Sequence, residues 1–165
     1  MRAFGITAAV VFLFDQLSKW AVVIWLDLIN LGEWDVFPPF LNFRMAWNRG
    51  VNFGLFANSA DFMRWLLIAV ALVISAWVLV WLYREKPGRW MMIAGGLLIG
   101  GALGNVIDRV IYGAVADFIT MSCCGYENPF SFNVADIAIF AGAIGLVLFN
   151  GRSSGPVLPK RRKTP

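Results

Sequence analysis

The sequence contains no histidine, and its two cysteines, Cys123 and Cys124, are adjacent. Without histidine, a Ser-His or Cys-His catalytic pair is excluded. Neighbouring cysteines do not provide the spaced ligand pairs of a structural zinc site. The simplest interpretation of the two cysteines is that they are small residues in a loop, although an adjacent pair can also form a disulfide in an oxidising compartment. These absences exclude most hydrolase chemistries and the common zinc sites.

Charged residues are also few, at 15% of 165 residues, whereas 59% are hydrophobic and the mean hydropathy is +0.70. A soluble domain has about 25% charged and about 45–50% apolar residues. Eight tryptophans and fourteen phenylalanines add to the apolar excess. The composition and length therefore predict one membrane-embedded domain over residues 1–150, followed by a basic cytoplasmic tail over residues 151–165.

Four apolar stretches are long enough to cross roughly 30 Å of hydrocarbon, for which a helix needs about 20 residues. Their continuous apolar character favours helices over strands. Asp15 and Lys19 interrupt the first stretch, and no small-residue cleavage motif follows it, so we expect a retained helix there and not a cleaved signal peptide. The predicted spans are approximately Ile6–Leu26, Phe62–Tyr83, Trp90–Val110 and Phe130–Phe149.

Basic residues are divided unevenly between the two sides that four spans would define. The side with both termini carries nine lysines and arginines, and the other side carries four: Arg44, Arg49, Arg64 and Arg109. This asymmetry predicts that both termini are cytoplasmic. The net charge of +4 is then a signal of topology and of contact with anionic lipid, and no nucleic-acid partner is expected.

The first outer loop contains two alternating runs. Every second residue is large and apolar in FLNFRMAW (residues 40–47), and a second alternation, VNFGL (residues 51–55), follows an Asn-Arg-Gly sequence. Two period-2 runs around such a turn predict a β-hairpin that lies over the outer membrane surface.

The third span carries a row of glycines at every fourth position and a polar row on an adjoining face. Small residues at this spacing allow a neighbouring helix to approach closely, so the glycine row predicts a packing surface. The glycine row consists of Gly96, Gly100 and Gly104, and the polar row of Gly101, Asn105 and Asp108.

Several acidic residues lie in or beside the spans, where a charge costs at least about 2.5–3.5 kcal/mol. Asp15 and Lys19 are four residues apart with the acid first, which favours an ion pair on one helix and a structural role. Asp108 is expected to cap or brace a loop. Arg109 is expected to pair with a carboxylate or to hold a phosphate headgroup.

Asp117 and Asp136 stand apart, because the predicted topology places both at the outer membrane boundary. Two carboxylates that converge in a poorly hydrated pocket share a proton, as in an aspartic protease. Spacing alone supports this interpretation and a structural one equally; in the structural one, each carboxylate caps a helix. A proton-coupled transporter and a Mg²⁺-dependent phosphotransferase are further alternatives. The acids lie at one membrane face and on separate spans, which favours neither a midplane relay nor a compact metal site.

Five motifs resemble, in order, those of the lipoprotein signal peptidases (signal peptidase II). They are DQLSK, NRGVNFG, GGALGNVIDR, VADF and FNVAD, and the resemblance extends from Asp15 to Ala141. It implies an all-α membrane protein with four transmembrane helices and a small extracytoplasmic β-cradle. It also implies an aspartic endopeptidase that removes the signal peptide from diacylglyceryl-modified prolipoproteins, immediately before the lipidated cysteine.

The same resemblance implies roles for individual residues. Asp117 and Asp136 match the catalytic dyad, and no metal or other cofactor is implied. Residues that match positions around the substrate and the dyad are Asn48, Gly50, Asn105, Arg109 and Asn133, and a structural polar cluster is matched by Asp15, Lys19 and Asp108.

The resemblance further implies partners and a location. The partners are prolipoprotein substrates, membrane lipid and globomycin-type cyclic peptide inhibitors. The location is the bacterial inner membrane, with the active site at the periplasmic face, and we expect a monomer.

Overall fold

The structure, a computed structural model, describes residues 1–50 and 59–150, which are mostly helical and include one small sheet. In chain order the elements are α1 (Arg2–Lys19), a π-helical continuation (Trp20–Trp25), α2 (Leu28–Leu31), β1 (Glu33–Phe37), β2 (Leu41–Asn48), α3 (Ser59–Glu85), α4 (Arg89–Tyr112), β3 (Val115–Met121) and α5 (Val134–Asn150).

Among residues 1–50 and 59–150, three helical segments are long and apolar enough to cross a membrane: Arg2–Trp25, Asp61–Glu85 and Arg89–Tyr112. They coincide with the first three predicted helices. The second and third extend slightly beyond both predicted ends, whereas the first begins four residues earlier and ends one residue earlier than predicted. The helix α5 is apolar but has only 17 residues, so the structure by itself supports three candidate spans.

The predicted start of the last helix at Phe130 is wrong, because α5 begins at Val134. The backbone N–H of Asp136 donates to Asn133 Oδ1 at 2.9 Å, and the backbone N–H of Asn133 donates to Asp136 Oδ2 at 3.3 Å. These reciprocal bonds resemble a capping box, which satisfies free N–H groups at a helix start. The helix therefore begins where a polar side chain can cap it, and not where the apolar run begins.

The helix α4 is the centre of the bundle and packs against α1, α3 and α5. A Cβ added to Gly100 would lie 2.6 Å from the carbonyl oxygen of Ala8 in α1. One added to Gly101 would lie 2.5 Å from the carbonyl oxygen of Ala135 in α5. The predicted glycine packing surface is thus confirmed, and the adjoining row faces α5. This close approach brings the ends of three helices together at the polar row.

The sheet is antiparallel with the order β1-β2-β3. The strand β2 confirms the first of the two alternating runs, whereas the predicted partner over residues 51–55 lies outside the described residues. The partners of β2 in the structure are β1 and β3. All residues of β1 are exposed, so this strand has no buried face to produce an apolar alternation in the sequence.

Apolar side chains fix the sheet to the end of the first helical segment. The rings of Phe43 on β2 and Phe118 on β3 pack edge to face, with centroids 5.6 Å apart. Phe118 belongs to a buried cluster that includes Val22, Val23 and Leu28. The strand that carries Asp117 is therefore held against the bundle.

Cys123 and Cys124 form a disulfide in the loop after β3. Of the two interpretations offered for this pair, the structure supports the disulfide.

Candidate active site

Two asparagines connect the carboxylates of Asp117 and Asp136 in one hydrogen-bonded network. Asn133 Nδ2 donates to Asp117 Oδ1 at 2.6 Å and to Asn105 Oδ1 at 3.2 Å. Asn105 Nδ2 in turn donates to Asp136 Oδ1 at 2.8 Å. The structure therefore brings together two acidic residues that are nineteen positions apart in the sequence, on β3 and at the start of α5.

A third asparagine, Asn48 at the end of β2, approaches Asp117 from the other side. Its Nδ2 donates to Asp117 Oδ2 at 3.0 Å. The backbone N–H of Gly50 donates to Asn48 Oδ1 at 3.0 Å, which orients the amide so that its nitrogen faces the carboxylate. Gly50 has φ of +87°, a left-handed conformation that favours glycine. The predicted pair of Asn48 and Gly50 thus acts on Asp117 as one unit.

The environment of Asp117 favours its protonated form. Burial and then the nearby charge of Asp136 raise its pKa, and the hydrogen bonds from Asn48 and Asn133 oppose them only in part, so that the pKa is about 6. The side chain is only 3% exposed. Below about pH 6 this carboxyl group can donate a proton, whereas an ordinary aspartate would already have lost it.

Arg109 lies close enough to interact electrostatically with both Asp117 and Asp136. Its Nη1 donates to the carbonyl oxygen of Asn105 at 3.3 Å. Its Nε is buried and has no hydrogen-bond partner among the described residues. The predicted ion pair with a carboxylate is not formed within 4.0 Å in the part of the chain that the structure describes. Arg109 therefore keeps a free donor near the two aspartates.

A second polar cluster lies beside this network and is centred on Lys19. Its Nζ is 2.8 Å from Asp15 Oδ2, 2.7 Å from Asp108 Oδ2 and 3.2 Å from Asn105 Oδ1. The predicted pair of Asp15 and Lys19 is confirmed as an ion pair, and it extends to Asp108. Because Asn105 contacts both Lys19 and Asp136, the two clusters share one residue.

The carboxylates of the Lys19 cluster also hold the backbone of the elements that carry the aspartates. Asp108 Oδ2 accepts the backbone N–H of Ala116 at 3.3 Å, next to Asp117 on β3. Asp15 Oδ1 accepts the backbone N–H of Ala135 at 2.9 Å, next to Asp136 on α5. The expected loop-bracing contact of Asp108 is thus observed, and Asp15 makes an equivalent contact with the start of α5.

Sequence reasoning missed two contributors to this arrangement. Gln16 Nε2 donates to Asp15 Oδ2 at 3.1 Å and to Asp108 Oδ1 at 3.0 Å, and so connects α1 with α4. Its polar side chain, next to Asp15 in a predicted membrane span, was the feature of the sequence that could have indicated this role. The strand β3 was also missed, although its sequence VADFITM is rich in β-branched and aromatic residues.

The arrangement has the parts of an acid–base pair. One carboxyl group keeps its proton up to about pH 6, a second carboxylate lies in the same network, and neutral amides fix both. Among residues 1–50 and 59–150, no group of three or more His, Cys, Asp or Glu side chains is placed to hold a metal ion. Two carboxyl groups of this kind can activate a water molecule and protonate a carbonyl oxygen.

Comparison with known proteins gives the family. The model of the family described as Signal peptidase (SPase) II matches residues 7–150. The chain is 45% identical over 134 residues to a lipoprotein signal peptidase of Methylorubrum extorquens, covering 81% of this chain and 77% of the relative. It is 40% identical over 151 residues to that of Pseudomonas aeruginosa, covering 88% and 86%.

Solved structures give the same result for the fold. Two structures, both described as a bacterial membrane enzyme studied by the in meso method, are 27% identical to this chain, with TM-scores of 0.71 and 0.76. The first alignment covers 99% of this chain and 96% of that one, and the second covers 93% and 96%. The family match spans the helices and strands that hold Asp117 and Asp136, and the chain belongs to the signal peptidase II family of membrane peptidases.

Proposed function

We propose that this protein is an aspartic endopeptidase that removes the signal peptide from diacylglyceryl-modified prolipoproteins, cleaving before the lipidated cysteine. The observation that carries the proposal is the network in which Asn105 and Asn133 connect Asp117 with Asp136. Family membership supplies the class of substrate, because the curated relatives are lipoprotein signal peptidases.

In the proposed reaction, Asp136 is the base and Asp117 is the acid. Asp136 takes a proton from a water molecule as the water oxygen attacks the carbonyl carbon before the cysteine. Asp117, whose raised pKa keeps it protonated up to about pH 6, donates its proton to the carbonyl oxygen. As the tetrahedral intermediate collapses, the C–N bond breaks and the cysteine nitrogen receives the proton held by Asp136. Asp117 recovers its own proton, so both groups return to their starting state.

The surrounding residues orient the pair and the substrate. Asn48, positioned by Gly50, and Asn133 each donate to Asp117 and fix its carboxyl plane. Asn105 fixes Asp136. The Nε of Arg109, which has no partner in the described part of the chain, is a donor suited to a substrate carbonyl oxygen. Fixing the water and the scissile carbonyl in advance removes a large entropic part of the barrier.

The Lys19 cluster is proposed to be structural. Its carboxylates, Asp15 and Asp108, are 0% and 1% exposed and contact backbone N–H groups beside each catalytic aspartate. Neither carboxylate hydrogen-bonds directly to Asp117 or Asp136 among the described contacts. The cluster would thus set the distance between β3 and α5 without touching substrate.

The membrane arrangement extends this proposal. The 17 residues of α5 form a helix about 25 Å long, close to the shortest length that spans a bilayer. With α5 as the fourth span, the sheet becomes an extracytoplasmic cradle and both termini are cytoplasmic, as the basic residues predict. The active site of a monomer would then lie at the periplasmic face of the inner membrane, where globomycin-type peptides would compete with the substrate.

The test is cleavage of a synthetic diacylated precursor, followed by gel shift. Asp117→Asn and Asp136→Asn should each reduce the rate by at least about 100-fold, the lower range for general acid–base catalysis. Asp61→Asn, at the exposed start of α3, is the matched control and should cleave at the rate of the unmodified protein. Normal turnover in either dyad variant would disprove the assignment.

A further inference from the structure

The end of the bundle remote from the two aspartates carries a basic cavity. Arg89 begins α4, and Asp108 follows nineteen residues later, about 28 Å along the helix axis. This distance is close to the hydrocarbon thickness of a bilayer. The cavity is therefore at the opposite membrane boundary from Asp117 and Asp136.

Three separate parts of the chain form this cavity, which has a volume of about 520 Å³. Arg2 comes from the start of α1, Lys86 from the connection between α3 and α4, and Arg89 from the first turn of α4. Convergence from three elements brings the cations together although the sequence separates Arg2 from the others by more than eighty residues.

None of these cations has an acidic partner among the described residues. Within residues 1–50 and 59–150, only Lys19 and Arg64 have a side-chain nitrogen within 4.0 Å of a carboxylate. Glu85 precedes Lys86 in the sequence but does not line the cavity. Three cations of the same sign around one cavity repel each other, and an anion between them would remove that repulsion.

The backbone adds to the positive potential. Gly88, which precedes α4, provides no side-chain cap. The N–H groups of the first turn of a helix have no partner within the helix and carry partial positive charge. This contribution reinforces the three side chains, which by themselves define the site.

The rim of the cavity is suited to a lipid. Tyr83 lines the cavity and is 64% exposed, and Trp90, next to Arg89, is 65% exposed. Aromatic residues of this kind concentrate at the level of the headgroups. Met92 provides a buried apolar wall below the cations. A phosphate held by the cations would therefore place attached acyl chains along the apolar surface of the helices.

We propose that Arg2, Lys86 and Arg89 form a binding site for the phosphate of an anionic phospholipid. The proposal is independent of the peptidase chemistry, because none of the hydrogen bonds described for Asp117 and Asp136 involves a residue that lines the cavity. It differs from general attraction of basic residues to a membrane, because only cations that line the cavity should matter.

The chain offers a matched pair of variants for the test. Lys86→Gln and Arg84→Gln each remove one positive charge from the same end of the bundle, but only Lys86 lines the cavity. Native mass spectrometry of the full-length protein would measure retention of phosphatidylglycerol against phosphatidylcholine. Inorganic phosphate, added alone, distinguishes a free anion from a headgroup. Thermal unfolding without lipid verifies that each variant is folded.

We expect Lys86→Gln to weaken phosphatidylglycerol binding about 5-fold and the triple variant of Arg2, Lys86 and Arg89 to weaken it at least about 20-fold. Arg84→Gln should retain the lipid as the unmodified protein does, and inorganic phosphate should not displace it. Equal losses in the two single variants would overturn the site in favour of diffuse attraction. Unchanged binding by the triple variant, or displacement by inorganic phosphate at comparable concentration, would also overturn the proposal.

Discussion

Removal of the Asn48 side chain should raise the pH at which activity declines on the alkaline side. The amide of Asn48 donates to Asp117 and lowers its pKa, against burial and Asp136, which raise it to about 6. A hydrogen bond contributes about 1.5–3 kcal/mol with an ionised acceptor and about 0.5–1.5 kcal/mol with a neutral one. The difference, about 1 kcal/mol or somewhat more, favours the ionised form. One pKa unit corresponds to about 1.4 kcal/mol, and the exposure of Asn48 to solvent weakens its effect. We therefore expect Asn48→Ala to raise the pKa of Asp117 by about 0.5–1 unit.

The sign of the effect on activity follows from the proposed role of Asp117 as the acid. Activity requires its protonated form, so kcat/KM should decline as the pH rises through about 6. In Asn48→Ala the decline should occur about 0.5–1 pH unit higher, because the lost hydrogen bond favoured the ionised form by about 1 kcal/mol. The assay is kcat/KM for a fluorogenic lipopeptide from about pH 4.5 to about pH 9. Asn30→Ala, which removes an exposed amide on α2, should leave the position of the decline unchanged. A decline at the same pH in Asn48→Ala, or at a lower one, would refute the reasoning.

Three other predictions follow from the packing and the chemistry. Lys19→Met should lower the free energy of unfolding by about 3–5 kcal/mol, because it leaves two buried carboxylates unpaired. The measurement is thermal unfolding in detergent, and Lys86→Met, which changes an exposed lysine, should show no comparable loss. Gly100→Ala should cost about 1–3 kcal/mol because its Cβ would press on Ala8, whereas Gly5→Ala, which meets nothing within 4 Å, should unfold at or above the original temperature. EDTA should leave precursor cleavage intact, and inhibition that Mg²⁺ reverses would favour a metal-dependent reaction.

The sequence was sufficient for the features that depend on local patterns. Continuous apolar runs predicted the long helices to within a few residues, and the glycine spacing in α4 predicted its close packing. The spacing of Asp15 and Lys19 predicted their ion pair. Each of these depends on periodicity within one helix, which the sequence displays directly.

The remaining features depend on contacts between distant parts of the chain. Nothing in the sequence shows that Asn105 and Asn133 bond to each other, because that contact joins α4 to the residue before α5. The strand β1 was missed because its residues are exposed, and the start of α5 was placed too early because Asn133 caps the helix inside an apolar run. Family resemblance, and not spacing, led to the proposal that Asp117 and Asp136 form a catalytic pair.

The most direct test of the central claim is a titration of the Asp117 carboxyl group by infrared spectroscopy, using the difference between the original protein and Asp117→Asn. We predict a protonated carboxyl signal that disappears with a pKa of about 6. In Asp136→Asn the same signal should titrate at lower pH, because a like charge that raises the pKa has been removed. A titration of Asp117 that does not change in Asp136→Asn would show that the two carboxylates are not coupled and would contradict the proposed mechanism.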